Sequence, residues 1–198
     1  MQTDTIAAIA TAVSDSGIGI IRISGSDALL VADKVYRSPK NQKKLSQAAS
    51  HTIHYGYIYD EDELIDEVMV AVMRSPHSYT TEDTVEINCH GGILVMNRIL
   101  ETVLHYGARL AQPGEFTKRA FLNGRIDLSK AEAVMDLIHS KNEFAMKASV
   151  NQLKGSVSAK VRSLREDILY EIAFIESALD DPEHISPVSY THLTLPTN

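Results

Sequence analysis

Three charged residues in this chain sit where a polar ligand could be held. The first is Arg22, in Gly17-Ile18-Gly19-Ile20-Ile21-Arg22-Ile23-Ser24-Gly25, a long cation inside a β-branched run bounded by glycines that let a backbone or ligand come close. On a buried face its guanidinium requires an anionic or carbonyl partner, because an unpaired buried charge costs several kcal/mol; on an edge strand it would face water. The second is Glu86, in Tyr79-Thr80-Thr81-Glu82-Asp83-Thr84-Val85-Glu86-Ile87-Asn88-Cys89-His90-Gly91-Gly92. It alternates with Val85 and Ile87 and so projects from the opposite face of a strand. A carboxylate there either meets solvent or accepts two parallel N–H bonds from a planar amidine-like group such as a pterin or a guanidinium. The third is Arg125, after the turns Pro113-Gly114 and Asn123-Gly124, where two dissimilar parts of the chain join and ligands tend to collect. Viewed alone, Lys118, Arg119 and Arg125 read as solvated surface.

Other candidates carry less. Cys89 and His90 are neighbours without the ligand count of a metal site or a visible third partner, so no metal ligand and no catalytic residue is assigned. The Gly91-Gly92 pair before a helix could bind an anion, yet its spacing is neither that of a dinucleotide site nor of a P-loop, and no Gly-x-x-x-x-Gly-Lys-Ser/Thr run occurs. A single cysteine excludes an internal disulfide and a Cys-based zinc site built from this chain alone. The 198 residues carry 19 Lys+Arg against 26 Asp+Glu, a formal charge of -7, which argues against phosphate-driven nucleic-acid binding by the whole surface. With 44% hydrophobic and 23% charged residues, disordered and collagen-like classes are out. No apolar run is long enough to span a membrane and no secretory signal opens the chain, so the expected location is the cytoplasm.

The elements that must position these residues divide near residue 120. Before it, short apolar runs alternate with turn signals. Strands are expected at Thr5 to Ala10, Ile18 to Ile23, His51 to Tyr59, Leu64 to Met73 and Thr84 to Asn88, the third and fourth pairing antiparallel around an acidic turn. Ser26 is placed to cap a helix through Val35, residues Arg37 to Ser50 read as a solvated connection, and Ile93, Met96, Ile99, Leu100, Val103 and Leu104 mark one helical face ending at Gly107. Strands with a few helices predict an α+β unit with a mixed sheet.

After it, the text is almost wholly helix-forming. A short helix covers Phe116 to Leu122, and Asp127 or Ser129 caps another through His139. Val150, Leu153, Val157, Val161, Leu164, Ile168, Ile172, Ile175 and Leu179 repeat every 11 residues, or 3.67 per turn, predicting one helix from about Asn142 to Leu179 of roughly 55 Å. Its single apolar stripe needs a partner, supplied by a further part of a larger protein or by a second copy. The last residues, Pro187 to Asn198, continue no periodicity and read as a frame-shifted or otherwise foreign end.

Taken together, GIGIIRISG, SPHSYTTEDTVEINCHGG, ARLAQPGEFTKRAFLNGRIDLSKAEAVMDLI and the helix that follows resemble, over about residues 4 to 186, the N-terminal part of the tRNA-modification GTPases MnmE or TrmE. The resemblance implies a folate-binding and dimerisation domain over residues 1–118, related to the tetrahydrofolate-binding fold of aminomethyltransferases, the first half of a helical domain over 119–186, and an unrelated tail over 187–198. It implies a 5-formyltetrahydrofolate or 5,10-methylenetetrahydrofolate site at Arg22, Glu86 and Arg125. In the family a GTPase domain using GTP, Mg and K follows. The family modifies C5 of the wobble uridine of tRNA as a homodimer, with the FAD-dependent MnmG protein as partner. This chain stops before that insertion, so GTP hydrolysis by it alone is not expected. Two other classes stay open: a stand-alone folate-dependent aminomethyltransferase, for which Asp127 and His90 are the nearby acid or base candidates, and a non-catalytic module that binds a partner helix.

Overall fold

The structure, a computed structural model, describes residues 4–39 and 44–180. Contacts divide the chain into two compact units, Met1–Ala131 and Glu132–Asn198. The first is built on strands β1 (Ile6–Ile9), β2 (Ser16–Ser24), β3 (Tyr36–Arg37), β4 (Thr52–Asp60), β5 (Glu63–Met73), β6 (Thr84–Gly91) and β7 (Arg109–Leu110), with helices α1 (Ala28–Val35), α2 (Ile93–His105) and α3 (Glu115–Leu122). The strands form one sheet in the order β3-β4-β5-β6-β2-β1-β7. All neighbours are antiparallel except β1 and β7, so the sheet is mixed and the unit is α+β, as its alternating text predicts.

The core lies on one face of this sheet. Ile21 and Ile23 of β2, Val85 and Ile87 of β6, and Val70 and Val72 of β5 are at most 1% exposed and belong to one cluster with α1 and α2. Burial of this size drives the fold, at about 25 cal/mol per Å² of apolar surface. Because side chains alternate along a strand, Arg22 and Glu86 must emerge on the other face. Gly56 is required where β3 crosses close: a Cβ there would lie 2.6 Å from the Arg37 carbonyl oxygen and from Cζ of Tyr36.

Several local expectations need correction. Ser26 is not the cap of α1, whose first residue is Ala28 and whose N-cap position is Asp27; the Asp27 N–H instead donates to Thr5 Oγ1 at 3.0 Å, tying the helix entry to β1. The acidic connection between β4 and β5 narrows to Glu61 and Asp62, with Glu61 in the left-handed region at φ 50°. The short β3 and β7 are missing from the sequence reading because two-residue strands carry no periodicity. Part of the connection from Arg37 to Ser50, residues 40–43, lies outside the described residues, as does the segment 187–198.

Helix α4 (Leu128–His139) runs from the end of the first unit into the second. Of the two cap candidates Asp127 serves it, its Oδ1 accepting the Lys130 N–H at 2.8 Å. The expected single helix from Asn142 to Leu179 is two: α5 (Glu143–Leu153) and α6 (Ser156–Asp180). Asn142 caps α5 through the Ala145 N–H at 2.8 Å. At its other end the Lys154 and Gly155 N–H groups close on Val150 and Gln152, and Gly155 turns at φ 89°, a conformation cheap only for glycine. The apolar spacing continues through this break, which is why periodicity alone missed it. Helix α6, about 37 Å long at 1.5 Å per residue, still presents Val161, Leu164, Ile168, Ile172 and Ile175 at 46–60% exposure. Among the described residues no helix is long and apolar enough to cross a membrane.

Candidate functional site

Arg22 and Glu86 are direct partners in the register of β2 and β6, two central strands, on the face away from α1 and α2. The flanking strands place Ala8 beside Arg22 and Ala71 beside Glu86, so small side chains border the pair. Both Nε and Nη2 of Arg22 lie 2.7 Å from the same oxygen, Oε1 of Glu86. Oε2 of Glu86 accepts no hydrogen bond among the described residues, and the two side chains keep 26% and 21% exposure. The pair is therefore a carboxylate held at one oxygen and available at the other.

Two aromatic rings close around it. The Arg22 guanidinium lies 5.4 Å from the ring centre of Tyr79, in the connection between β5 and β6, and 5.5 Å from that of Phe116 on α3. The Arg125 guanidinium stands 4.8 Å from the same Tyr79 ring. Such distances fit cation–π attraction of about 0.5–1 kcal/mol at exposed sites. The Tyr79 hydroxyl is 2.9 Å from Thr117 Oγ1, joining the β5–β6 connection to α3. Arg22 and Arg125 thus meet at one tyrosine ring, and Glu86 joins the group through its direct pair with Arg22. Tyr79 and Phe116 were not singled out in the sequence, where an aromatic beside a turn reads as ordinary packing.

Arg119, read from sequence as solvated, is 8% exposed and lies at the centre of an ion network. Its Nη1 donates to the Asp4 carbonyl at 2.8 Å and to both oxygens of Glu82 at 3.1 and 3.2 Å; its Nη2 donates to Asp4 Oδ1 at 2.8 Å and to Glu115 Oε1 at 3.3 Å. Glu82 Oε2 also accepts from Ser24 Oγ at 2.8 Å, and Arg109 grips Glu115 through two nitrogens. Asp4 is 115 residues from Arg119 in sequence, so no local pattern could show the pairing.

The Arg109 guanidinium, with the Gln112 N–H and Arg119, lowers the Glu115 carboxyl from 4.5 to about 2, against the opposing effect of burial. Asp4 is lowered for the same reason, chiefly by Arg109. A carboxylate held low in the folded state contributes stability that is present above its unfolded pKa of 4.5 and lost as pH falls through about 2. Between those values the unfolded chain binds the extra proton, so the melting temperature rises with pH there. Arg109→Gln should flatten that rise, measured as melting temperature against pH; an unchanged slope would show that Arg109 does not hold Glu115.

The Cys89–His90 pair resolves differently. Cys89 is buried with Sγ 3.4 Å from the Gly19 carbonyl, and burial, with Asp66, pushes its thiol up to about 11, away from nucleophilic use. His90 is 70% exposed and does have an orienting partner that the sequence hid: Nδ1 lies 2.7 Å from Asp66 Oδ1, which raises the imidazole pKa. Among the described residues no cluster of three or more His, Cys, Asp or Glu could hold a metal ion.

Residues 5–125 match the family described as GTP-binding protein TrmE N-terminus, and residues 128–196 match the MnmE helical domain. A tRNA modification GTPase MnmE of Lachnoclostridium phytofermentans is 62% identical over 186 residues, 94% of this chain and 41% of that protein. Proteins of the same description from Bacillus subtilis and Enterococcus faecalis are 54% and 56% identical, over 97% and 93% of this chain and 42% and 40% of theirs. The chain spans about two fifths of the length of these curated relatives. Since the match to the TrmE N-terminal region by itself takes in more than half of the residues, the chain belongs to the TrmE (MnmE) family and carries its N-terminal and helical regions.

Proposed function

We propose that this chain holds a tetrahydrofolate one-carbon donor, 5-formyltetrahydrofolate or 5,10-methylenetetrahydrofolate, in the service of tRNA modification. The observation that carries the reading is the asymmetry of Glu86, fixed through Oε1 by Arg22 with Oε2 open on a sheet face lined by Ala8, Ala71, Tyr79 and Phe116. The edge of a pterin presents an amide N–H beside an amino group, donors that suit a carboxylate oxygen whose partner oxygen is already engaged. The rings of Tyr79 and Phe116 supply flat apolar surface for a fused heterocycle. Arg22 orients Glu86, and Arg125 stands on the same rim to meet a ligand carbonyl or carboxylate. The bound folate supplies the carbon; the protein supplies position and exclusion of water.

In the whole protein this region, residues 1–118, is placed as the dimerisation domain. Ile53 at 63% exposure, with Tyr55 and Met69 exposed on the same sheet face, supports such an interface. Residues 119–186 are placed as half of a helical domain whose exposed α6 stripe is covered by a later part of the chain. GTP with Mg and K, the FAD-dependent MnmG partner and C5 of the wobble uridine belong to that whole protein, acting in the cytoplasm. The relatives' description as tRNA modification GTPases supports this assignment. A stand-alone aminomethyltransferase is favoured only by the His90–Asp66 pair. His90 lies four residues along β6 from Glu86, about 13 Å at the rise of a strand, and 70% exposed, a poor seat for an acid or base acting at the folate.

Isothermal titration of the chain with 5-formyltetrahydrofolate tests the reading. Saturable binding with one folate per chain is expected. No heat and no displacement of a fluorescent folate by a folded, cooperatively melting chain would overturn it.

A further inference from the structure

The network around Arg119 joins β2, the β5–β6 connection and α3, which carry Arg22, Tyr79 and Phe116 of the folate surface. Ser24, 0% exposed, lies two residues from Arg22 on β2 and donates to Glu82. Thr80, also 0% exposed, is 2.6 Å from Ser24 Oγ and follows Tyr79 directly. Glu115 and Arg119 stand on either side of Phe116 and Thr117 on α3. The Asn123 side chain closes the far end of that helix by donating to the Thr80 carbonyl at 2.7 Å, and the Arg125 N–H donates to the Ala120 carbonyl at 2.9 Å. Between Thr80 and Glu82 the backbone of Thr81 is held at φ 61°, a left-handed conformation that a β-branched residue adopts only when its surroundings impose it.

Three carboxylates, Asp4, Glu82 and Glu115, converge on the single buried guanidinium. Stability does not require such an arrangement, because well-packed apolar residues in place of a buried ion network are often as stable or more so. A planar fork with fixed bond directions does provide geometry: it sets how far α3 and the β5–β6 connection stand from the sheet.

We propose that Arg119 and Glu82 are positioning residues, whose ion network sets the distance of the Tyr79 and Phe116 rings from the Arg22–Glu86 pair. The inference rests on the folate reading for its ligand and on the structure alone for its geometry, and the two are read separately. Nuclear magnetic resonance of the whole chain follows the Arg22 Nε–H and the Tyr79 ring signals without ligand, and calorimetry follows 5-formyltetrahydrofolate. Parent, Glu82→Gln and Arg119→Lys are compared below their melting temperatures. Arg98→Gln, which removes a surface pair with Asp60 away from the site, is the control.

In Glu82→Gln and Arg119→Lys the Arg22 and Tyr79 signals should move and the folate Kd should rise roughly tenfold, the scale of misaligning one charged hydrogen bond, while Arg98→Gln changes neither. Unmoved Arg22 and Tyr79 signals overturn the positioning role, as does parental folate affinity in both variants. If the signals move and the parent itself binds no folate, the folate reading falls and the positioning role stands. Should Glu82→Gln fail to fold, Ser24→Ala removes only one contact to Glu82 and must give the same shifts in smaller measure.

Discussion

Glu86→Gln should weaken 5-formyltetrahydrofolate by about 1.5–3 kcal/mol, roughly a tenfold to hundredfold rise in Kd, with little change in stability. In the parent both Arg22 donors point at Oε1, so the glutamine amide will turn its carbonyl oxygen toward Arg22. Its NH2 group then takes the place of Oε2, and donors on the ligand meet a donor instead of an acceptor. The ligand loses a charged hydrogen bond and gains a repulsive contact, which is why the isosteric change should cost as much as a truncation. The stability of the fold is less exposed to the change. Arg22 keeps a carbonyl acceptor and its aromatic neighbours, and a pair with 26% and 21% exposure contributes at most about 1 kcal/mol. Calorimetry and thermal melting on the same preparation separate the two effects. Equal affinity in parent and variant would remove Glu86 from the site.

Sequence made Glu86 and Arg22 visible as charges within β-branched runs, because a charge in such a run breaks the pattern whichever face it takes. It could not show that the two are register partners, since pairing depends on which strands the chain brings together across 64 residues. The strands β2, β4, β5 and β6 were legible from alternation and turn residues, and α2 from its stripe. Where signals compete, the local pattern points the wrong way. The 3.67 period ran on through Gly155, yet a glycine at φ 89° with two closing hydrogen bonds ends α5 there. Arg119 sits in a short basic helix and so looked like surface, while its partners Asp4 and Glu82 come from distant segments. Tyr79 and Phe116 had no signature at all, because an aromatic ring becomes part of a site only through what folds against it.

Arg119→Met should destabilise the fold by about 2–3 kcal/mol, the scale of leaving a half-buried carboxylate without its charged donor. Methionine fills the space of the alkyl stem but removes the guanidinium from Glu82, whose side chain is 22% exposed, while Asp4, 44% exposed, keeps the Arg109 Nε–H on its Oδ2 at 2.6 Å. Arg109 still neutralises Glu115, so the unmet charge falls mainly on Glu82, whose remaining donor is Ser24. The loss should appear as a fall in melting temperature of roughly 10 °C or more for a unit of this size. Replacing Glu82 by methionine in the same chain should recover much of it, because two apolar side chains then face each other and no buried charge is left unpaired. A double variant no more stable than Arg119→Met would mean that Arg119 acts through Asp4 rather than Glu82. A single variant within about 0.5 kcal/mol of the parent, the range of ordinary surface changes, would mean that Ser24 and solvent satisfy the Glu82 carboxylate without Arg119. Restored stability in the double variant should not bring restored folate affinity, since an apolar contact lacks the bond directions with which the guanidinium fixes α3 against the β5–β6 connection.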